Sequence, residues 1–258
     1  MTRLFFFFVL NTSEHLTLLT VEKIRLASPM RVVLVSDAHL DGPDDPNQAH
    51  FIGWLARLPS VDRLCILGDL FQHWWDFQGE PFAAYKPVVA ALADFPLSFV
   101  PGNHDWRAGE WLKSNLKADS GASLRYTWDG LRVHLAHGDG ADHSRGYALV
   151  SRILRGPAFA ALMDSLGPQQ GWKLLATIAG KPHRYRPAHP QLLAAQHRLA
   201  EAILEEETVD LVAFGHSHHP ELVQLPGGLY ANLGDRLHHH SELWVVDGQP
   251  ELRRGATR

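Results

Sequence analysis

Five short apolar runs in this chain are each followed by side chains that bind metal ions, and this repetition constrains the fold more than any other feature. The clearest run covers residues 64–67 and is followed by Gly68 and Asp69. Its length and composition predict a buried strand, and glycine allows the sharp turn that brings Asp69 to the strand's carboxyl end. Open α/β sheets bind their ligands at such ends, so the five runs together predict one metal site. The other four runs are followed by Asp37 and His39, by Asn103 and His104, by His137, and by His216 and His218.

The composition is that of a globular protein, with 258 residues of which 45% are hydrophobic, enough for a large core in one or two domains. A net charge of -4 gives no support for a general nucleic-acid binder. Cys65 is the only cysteine, so no intramolecular disulfide is expected. The 17 histidines suit transition-metal ligation.

The start of the chain, residues 1–29, has an unusual sequence. The apolar run at 4–10 is too short to span a membrane as a helix. Met30 opens a natural first strand over residues 30–36. We therefore expect residues 1–29 to be a dispensable extension or a misassigned start.

From residue 32 onward, strand-like and helix-like segments alternate, which predicts a mixed sheet or a pair of packed sheets flanked by helices. Residues 144–207 interrupt this alternation with a long helical pattern. Two interpretations remain open for this interval: helices that cover a sheet face, or a helical cap inserted over the metal site. The expected core is then formed by residues 30–143 and 208–258.

The predicted ligands combine carboxylates with imidazoles. Two divalent ions about 3.5–4 Å apart can share one Asp and clamp the oxygens of a reacting phosphoryl group. Carboxylates offset the charge of the ions, while imidazoles favour Mn, Fe, Zn or Co over Mg and Ca.

The motifs Asp-x-His, Gly-Asp, Gly-Asn-His-Asp, His-Gly-Asp and Gly-His-x-His, in this order, resemble those of the calcineurin-like metallophosphoesterases. The resemblance spans residues 30–247 and implies an α/β fold with two packed mixed β-sheets and helices on both outer faces. It implies that His104 assists the transition state or protonates the leaving oxygen, and that Asp105 orients His104. It also implies one metal held by Asp37, His39, Asp69 and His218, and a second held by Asp69, Asn103, His137 and His216.

A closer resemblance is to UDP-2,3-diacylglucosamine diphosphatases. It rests on residues 68–71 with Trp74 and Trp75, on residues 137–140 before Gly146 and Tyr147, on the helical insertion, and on residues 232–235. This implies a cytoplasmic manganese enzyme of lipid A synthesis, which cleaves a lipid-linked nucleotide to UMP and 2,3-diacylglucosamine 1-phosphate. A cap would hold the acyl chains and contact the inner membrane. No nucleic-acid or protein partner is expected. The expected substrate contacts are Asn103, His104, Tyr147, Lys173, Lys181 and Arg184.

Two other functions stay open. Gly-Asn-His-Asp replaces the Gly-Asn-Arg-Asp of the proteobacterial diphosphatases, which leaves room for a metallophosphodiesterase acting on another nucleotide or on nucleic acid. A non-catalytic binding module with the same fold is the other alternative. An exposed apolar cap lining would favour the lipid, whereas a basic groove with stacking aromatic residues would favour nucleic acid.

Overall fold

The computed structural model of the protein describes residues 28–142, 145–180 and 188–255, without the side chains of residues 145–149. Residues 1–27 of the expected extension lie outside this description. The described strands are β1 (Arg31–Val35), β2 (Arg63–Leu67), β3 (Asp76–Phe77), β4 (Glu80–Pro81), β5 (Leu97–Val100), β6 (Asp119–Ser120), β7 (Ser123–Trp128), β8 (Leu131–Ala136), β9 (Leu211–Phe214), β10 (Glu221–Leu225), β11 (Gly228–Asn232), β12 (Ser241–Val246) and β13 (Gln249–Arg254). The α-helices are α1 (Pro46–Arg57), α2 (Lys86–Leu92), α3 (Ala108–Leu116), α4 (Arg145–Leu154), α5 (Pro157–Ala179) and α6 (Pro190–Glu206).

Two mixed sheets form the centre of the fold. The first has six strands in the order β13-β12-β1-β2-β5-β6, and the second has five in the order β10-β11-β9-β8-β7. Strands β1, β2 and β5 run parallel to one another, as do β8, β9 and β11. Strands β3 and β4 form a separate small hairpin. Parallel strands direct their carboxyl ends to the same edge, so the loops after them converge.

Apolar side chains between the two sheets form one core, which includes Leu34, Leu67, Leu135 and Leu211. The outer face of the first sheet is covered by α1, α2 and α3. Helix α1 illustrates how the sequence sets this layer. The Asp45 side chain caps its first turn, Pro46 is its first residue, and Phe51 and Leu55 on its buried face pack in this outer layer. The expected pair of packed sheets flanked by helices is confirmed.

Helices α5 and α6 of the 144–207 interval pack on different sheets. Helix α6 packs on the outer face of the second sheet through Ala200 and Leu204. Helix α5 is broken at Gly167, whose φ is 70°. It buries Met163 and Leu175 in the cluster that covers the first sheet. Both helices thus cover a sheet face, and a cap inserted over the metal site stays a prediction. Within the described residues, no helix is long and apolar enough to cross a membrane.

Candidate metal centre

The loops that follow β1, β2, β5, β8 and β9 meet at one edge of the two sheets. Asp37 N–H donates to the Gly68 carbonyl at 3.1 Å, which joins the first two loops. His216 N–H donates to Asp37 Oδ2 at 2.9 Å, which joins the first sheet to the second. The five predicted motifs therefore form a single site, as the repetition in the sequence predicts.

The four residues expected to hold the first metal lie together. His39 Nε2 is 3.2 Å from His218 Nε2 and 3.8 Å from both Asp37 Oδ1 and Asp69 Oδ2. His218 Nε2 is 3.4 Å from Asp37 Oδ1. Ligands bound at about 2.0–2.2 Å to one ion lie roughly 3–3.6 Å apart, so these spacings are close to those of a coordination shell. Asp37 Oδ1 is buried and has no hydrogen-bond partner among the described residues, which suits an oxygen reserved for a cation.

The residues expected to hold the second metal also lie together, and Asp69 belongs to both groups. His137 Nε2 is 3.5 Å from Asp69 Oδ2 and 3.2 Å from Asn103 Oδ1. One ligand atom each of Asp69, His137 and His216 lies within 4.8 Å of the others. Asp69 thus lies where a carboxylate shared by two ions belongs.

Hydrogen bonds at Nδ1 orient the rings of these histidines. His39 Nδ1 lies 2.9 Å from Gln72 Oε1, and His137 Nδ1 donates to the Leu67 carbonyl at 2.7 Å. His218 Nδ1 faces Asp235 Oδ2 at 3.6 Å. Metal-binding histidines typically donate their other ring N–H in this way, which fixes the tautomer. With the proton on Nδ1, each Nε2 presents a lone pair to the cluster, so the donor set fits divalent transition-metal ions.

The backbone at the cluster lies in the left-handed region, which non-glycine residues adopt at a cost. Asp37, His39, Asp69, His216 and His218 have φ values between 46° and 67°. The surrounding sheets hold these loops in place. This conformation turns each side chain inward at the end of its strand.

Two glycines permit the loops after β2 and β5 to touch. A Cβ at Gly102 would lie 2.5 Å from the Asp69 backbone nitrogen, and Gly68 has a φ of 79°. We expect Gly102→Ala to cost about 1–3 kcal/mol of stability, because the loops must separate to admit the methyl group. The variant should also bind less metal, since Asp69 is displaced. Thermal unfolding and metal analysis measure both effects.

Gly140→Ala is the matched control, because a Cβ at Gly140 meets nothing within 4 Å and the residue has no positive φ. Equal stability and metal content in the two variants would contradict the close approach of the loops.

Asp105 has a different environment from the one the sequence predicted. Its buried carboxylate accepts backbone N–H groups of Gly102, Asp69, Leu70 and Phe71 at 2.8–3.2 Å. Burial and the charge of Asp69 raise its pKa to about 7. These bonds tie the β2 and β5 loops together. The expectation that Asp105 orients the His104 ring is therefore replaced by a role in fixing the loops.

His104 lies beside the cluster with its ring held by another group. Its Nδ1 donates to the Gln72 carbonyl at 2.8 Å, and its N–H donates to Asp69 Oδ1 at 2.9 Å. The ring is 4.8 Å from the His39 ring, in an edge-to-face arrangement. Its Nε2 is left for a group bound at the cluster.

Gln72 is a residue that the sequence reasoning missed. Its Oε1 holds His39, its carbonyl holds His104, and its Nε2 donates to the Ala179 and Gly180 carbonyls at the end of α5 at 3.2 and 3.1 Å. Its position three residues after Asp69 was the available signal. The side chain connects the metal centre to the helical interval.

We expect Gln72→Ala to lower hydrolysis of an aryl phosphodiester or metal affinity about 10–100-fold, because the His39 ring loses its orienting partner. Steady-state kinetics and metal titration measure this. Gln224→Ala is the control, since the exposed Gln224 also donates to two backbone carbonyls but lies on β10. A Gln72→Ala enzyme with normal kcat and normal metal affinity would refute the assignment.

Burial and nearby charges shift the pKa values of the carboxylates and imidazoles in the cluster. Burial alone would lower the pKa of His137, but the Asp69 carboxylate raises it to about 10. Burial likewise opposes the protonation of His218, whose pKa Asp37 raises to about 9. Burial raises the pKa of Asp37 itself. Cations and protons compete for the same ligand atoms, so metal binding here releases protons.

The remaining predicted substrate contacts fall into three groups. Asn103 and His104 line a cleft of about 270 Å³ next to the cluster. Lys173 is exposed on α5. Lys181, Arg184 and the Tyr147 side chain lie outside the described residues.

Carboxylates and imidazoles that converge at the strand ends of a two-sheet sandwich define a metal-dependent hydrolase site. The calcineurin-like phosphoesterase family model matches residues 30–220. The chain belongs to this family and is a metal-dependent phosphoesterase, and the fold implies the use of divalent metal.

Similar proteins include several called UDP-2,3-diacylglucosamine hydrolase. The one from Coxiella burnetii is 26% identical over 208 residues, which cover 75% of this chain and 82% of that protein. The one from Edwardsiella ictaluri is 27% identical over 237 residues, 85% of this chain and 90% of that protein. The one from Shewanella halifaxensis is 40% identical over 122 residues, 43% of this chain and 48% of that protein.

Proposed function

We propose that the protein hydrolyses the pyrophosphate of UDP-2,3-diacylglucosamine to UMP and 2,3-diacylglucosamine 1-phosphate. The observation that carries the proposal is a cleft with one apolar side that opens directly onto the metal centre. The names of the similar proteins support the same substrate.

The cleft has a polar side and an apolar side. Asn103 and His104 face it from the metal centre, whereas α4 and α5 contribute apolar side chains. Val150 is 49% exposed and Ile178 is 43% exposed, so both present apolar surface at the cleft. A lipid-linked nucleotide needs a phosphoryl site next to an apolar surface for its acyl chains, and this arrangement offers both. The other apolar lining residues are Trp106, Leu154, Leu175 and Ala179.

Two divalent ions, which we propose to be manganese, would be held by the two ligand groups described above. When bound, they act as Lewis acids that offset the charge developing on the phosphoryl oxygens. The ligands would be Asp37, His39, Asp69 and His218 for one ion, and Asp69, Asn103, His137 and His216 for the other.

His104 acts on the leaving oxygen in this proposal. The Gln72 carbonyl holds its Nδ1 proton, so its Nε2 faces the cleft and can carry the proton that the departing group needs. Asn103 lies beside it at the cleft wall. We propose Tyr147, Lys173, Lys181 and Arg184 as further substrate contacts.

The same face of the protein would contact the cytoplasmic side of the inner membrane. Ile153 and Leu162 are 57% and 44% exposed on α4 and α5, the two helices that line the cleft. Exposed apolar side chains beside a lipid-binding cleft favour partial insertion into a bilayer surface. The membrane contact rests on the lipid substrate.

Incubation of manganese-loaded protein with UDP-2,3-diacylglucosamine tests the proposal, with release of both UMP and the lipid monophosphate as the expected result. Hydrolysis of bis-p-nitrophenyl phosphate without release from the lipid nucleotide would assign the protein to another phosphodiesterase substrate. Absence of both activities in metal-loaded protein would favour a binding module.

Ile178→Asp should raise the KM for the lipid nucleotide about tenfold or more, because it places a charge where an acyl chain packs. Hydrolysis of the aryl diester should be unchanged. Ala194→Asp is the control, since Ala194 is exposed on α6, does not line the cleft, and its substitution adds the same charge. Equal KM values for the two variants would contradict the acyl-binding cleft.

A further inference from the structure

A second cavity, of about 160 Å³, lies between α1 and the loop of residues 236–240. Arg57, His50 and Trp54 line it from α1, and Arg236 and His240 line it from the loop. The lining contains two guanidinium groups and two imidazoles, and it contains no carboxylate among the described residues. We call this cavity the basic pocket. Its residues are separate from those that line the cleft.

Arg236 is the central residue of the basic pocket. It is only 8% exposed, and its guanidinium stacks 4.3 Å from the centroid of the Trp54 ring. Its Nη1 donates to the His240 carbonyl at 2.7 Å and to Glu242 at 3.3 Å. Its Nε has no acceptor among the described residues. Burial lowers its pKa to about 10, so the group remains charged at neutral pH. A buried cation with an unsatisfied N–H donor costs folding free energy unless an acceptor bonds to that donor.

The charge around Arg236 is only partly balanced within the protein. Glu242 accepts hydrogen bonds from Trp54 and Trp244 as well as from Arg236. Arg57 brings a second guanidinium, for which no ion pair with a described residue is found. The pocket therefore carries more positive than negative charge.

Two imidazoles complete the lining of the basic pocket, and in the protonated form both rings can donate to an anion. The His50 and His240 rings are 5.7 Å apart and almost perpendicular. His240 Nδ1 contacts the Arg236 carbonyl at 2.9 Å, which leaves its Nε2 for another partner. His240 also has a left-handed φ of 47°, so the loop holds this ring at a conformational cost.

We propose that the basic pocket binds a free tetrahedral oxyanion of the phosphate type. Arginine forks and imidazoles are the groups that bind such anions through charge-assisted hydrogen bonds. The cavity is too small for a nucleotide, because sites for ligands of that size occupy about 300–1,000 Å³.

Both walls of the basic pocket also support the metal loop after β1. Arg236 N–H donates to the Asp37 carbonyl at 3.2 Å. Asn47 Nδ2, on α1, donates to the Ala38 carbonyl at 2.6 Å. An anion bound between these walls would therefore contact the same two elements that hold the Asp37 loop.

Sulfate titration into zinc-loaded, full-length protein labelled with ¹⁵N-arginine tests the proposal. We expect saturable shifts of the Arg236 and Arg57 Nε–H resonances. Arg57→Gln should weaken the affinity read from Arg236 about tenfold, because it removes one charge-assisted contact. Arg198→Gln is the control, since Arg198 is exposed on α6 and its loss changes the net charge equally.

Two results would overturn the proposal. One is an Arg236 resonance that sulfate leaves unmoved. The other is equal sulfate affinity in Arg57→Gln and Arg198→Gln, which would show a general charge effect. His50→Gln provides a second pocket variant, and because His50 is exposed on α1, its substitution leaves the core intact. We expect His50→Gln to weaken sulfate affinity about tenfold as well.

Discussion

Asp69→Ala should lower kcat for a phosphodiester at least about 1,000-fold, equivalent to about 4 kcal/mol of transition-state stabilisation. Asp69 belongs to both ligand groups, with Oδ2 3.8 Å from His39 Nε2 and 3.5 Å from His137 Nε2. Its loss therefore weakens both proposed metal positions, each of which is expected to supply several kcal/mol of charge stabilisation. Steady-state kinetics at saturating manganese measure the loss.

Metal analysis of the same variant separates this explanation from unfolding. We expect Asp69→Ala to bind less than two ions per chain, while far-ultraviolet circular dichroism stays close to that of the wild type. Asp94→Ala is the control, because Asp94 is an exposed carboxylate after α2. An Asp69→Ala enzyme with full activity would remove the shared carboxylate from the proposed mechanism.

His104→Ala should lower kcat about 10²–10⁴-fold, the usual contribution of a general acid or base. In contrast to Asp69→Ala, its content of bound metal should stay at the wild-type level, because the seven proposed ligands remain. His104 Nδ1 is held by the Gln72 carbonyl, so the ring is positioned without help from an ion. Kinetics and metal analysis together distinguish the two variants.

If His104 protonates the leaving oxygen, the effect of His104→Ala should depend on the leaving group of the substrate. An aryl phosphate with an acidic phenol needs little protonation, so its hydrolysis should suffer less from His104→Ala than hydrolysis of an alkyl phosphate. His219→Gln is the matched control, because this exposed histidine follows the proposed ligand His218 directly. Equal losses for both leaving groups would assign His104 to charge stabilisation instead of proton transfer.

The sequence predicts the interior of the fold better than its margins. All the strands read from apolar runs are interior strands of the two sheets, such as β2 and β9. The strands not predicted include the four at the sheet edges, β6, β7, β10 and β13. β13 contains Pro250 and alternates between exposed and half-buried residues, so no apolar run marks it. Hydrophobic pattern identifies strands buried on both faces, whereas edge strands depend on their partners.

The residues of the candidate site were predictable where they follow an apolar strand and not elsewhere. The structure brings all seven predicted ligands together, because each is attached to the end of a strand that the apolar pattern identifies. Gln72 and the environment of Asp105 were not predicted, since their roles depend on which loops meet in space. Local sequence does not specify such long-range contacts.

The contacts of the Gln72 side chain restrict how the helical interval can be exchanged between related enzymes. The amide bonds the carbonyls of Ala179 and Gly180 at the end of α5 and the His39 ring at the same time. A transplanted segment that ends its helix one residue earlier or later would offer these carbonyls in the wrong place. The graft would then disturb metal coordination while leaving every ligand in the sequence. Chimaeras should be joined beyond Gly180, with the end of the helix kept in register.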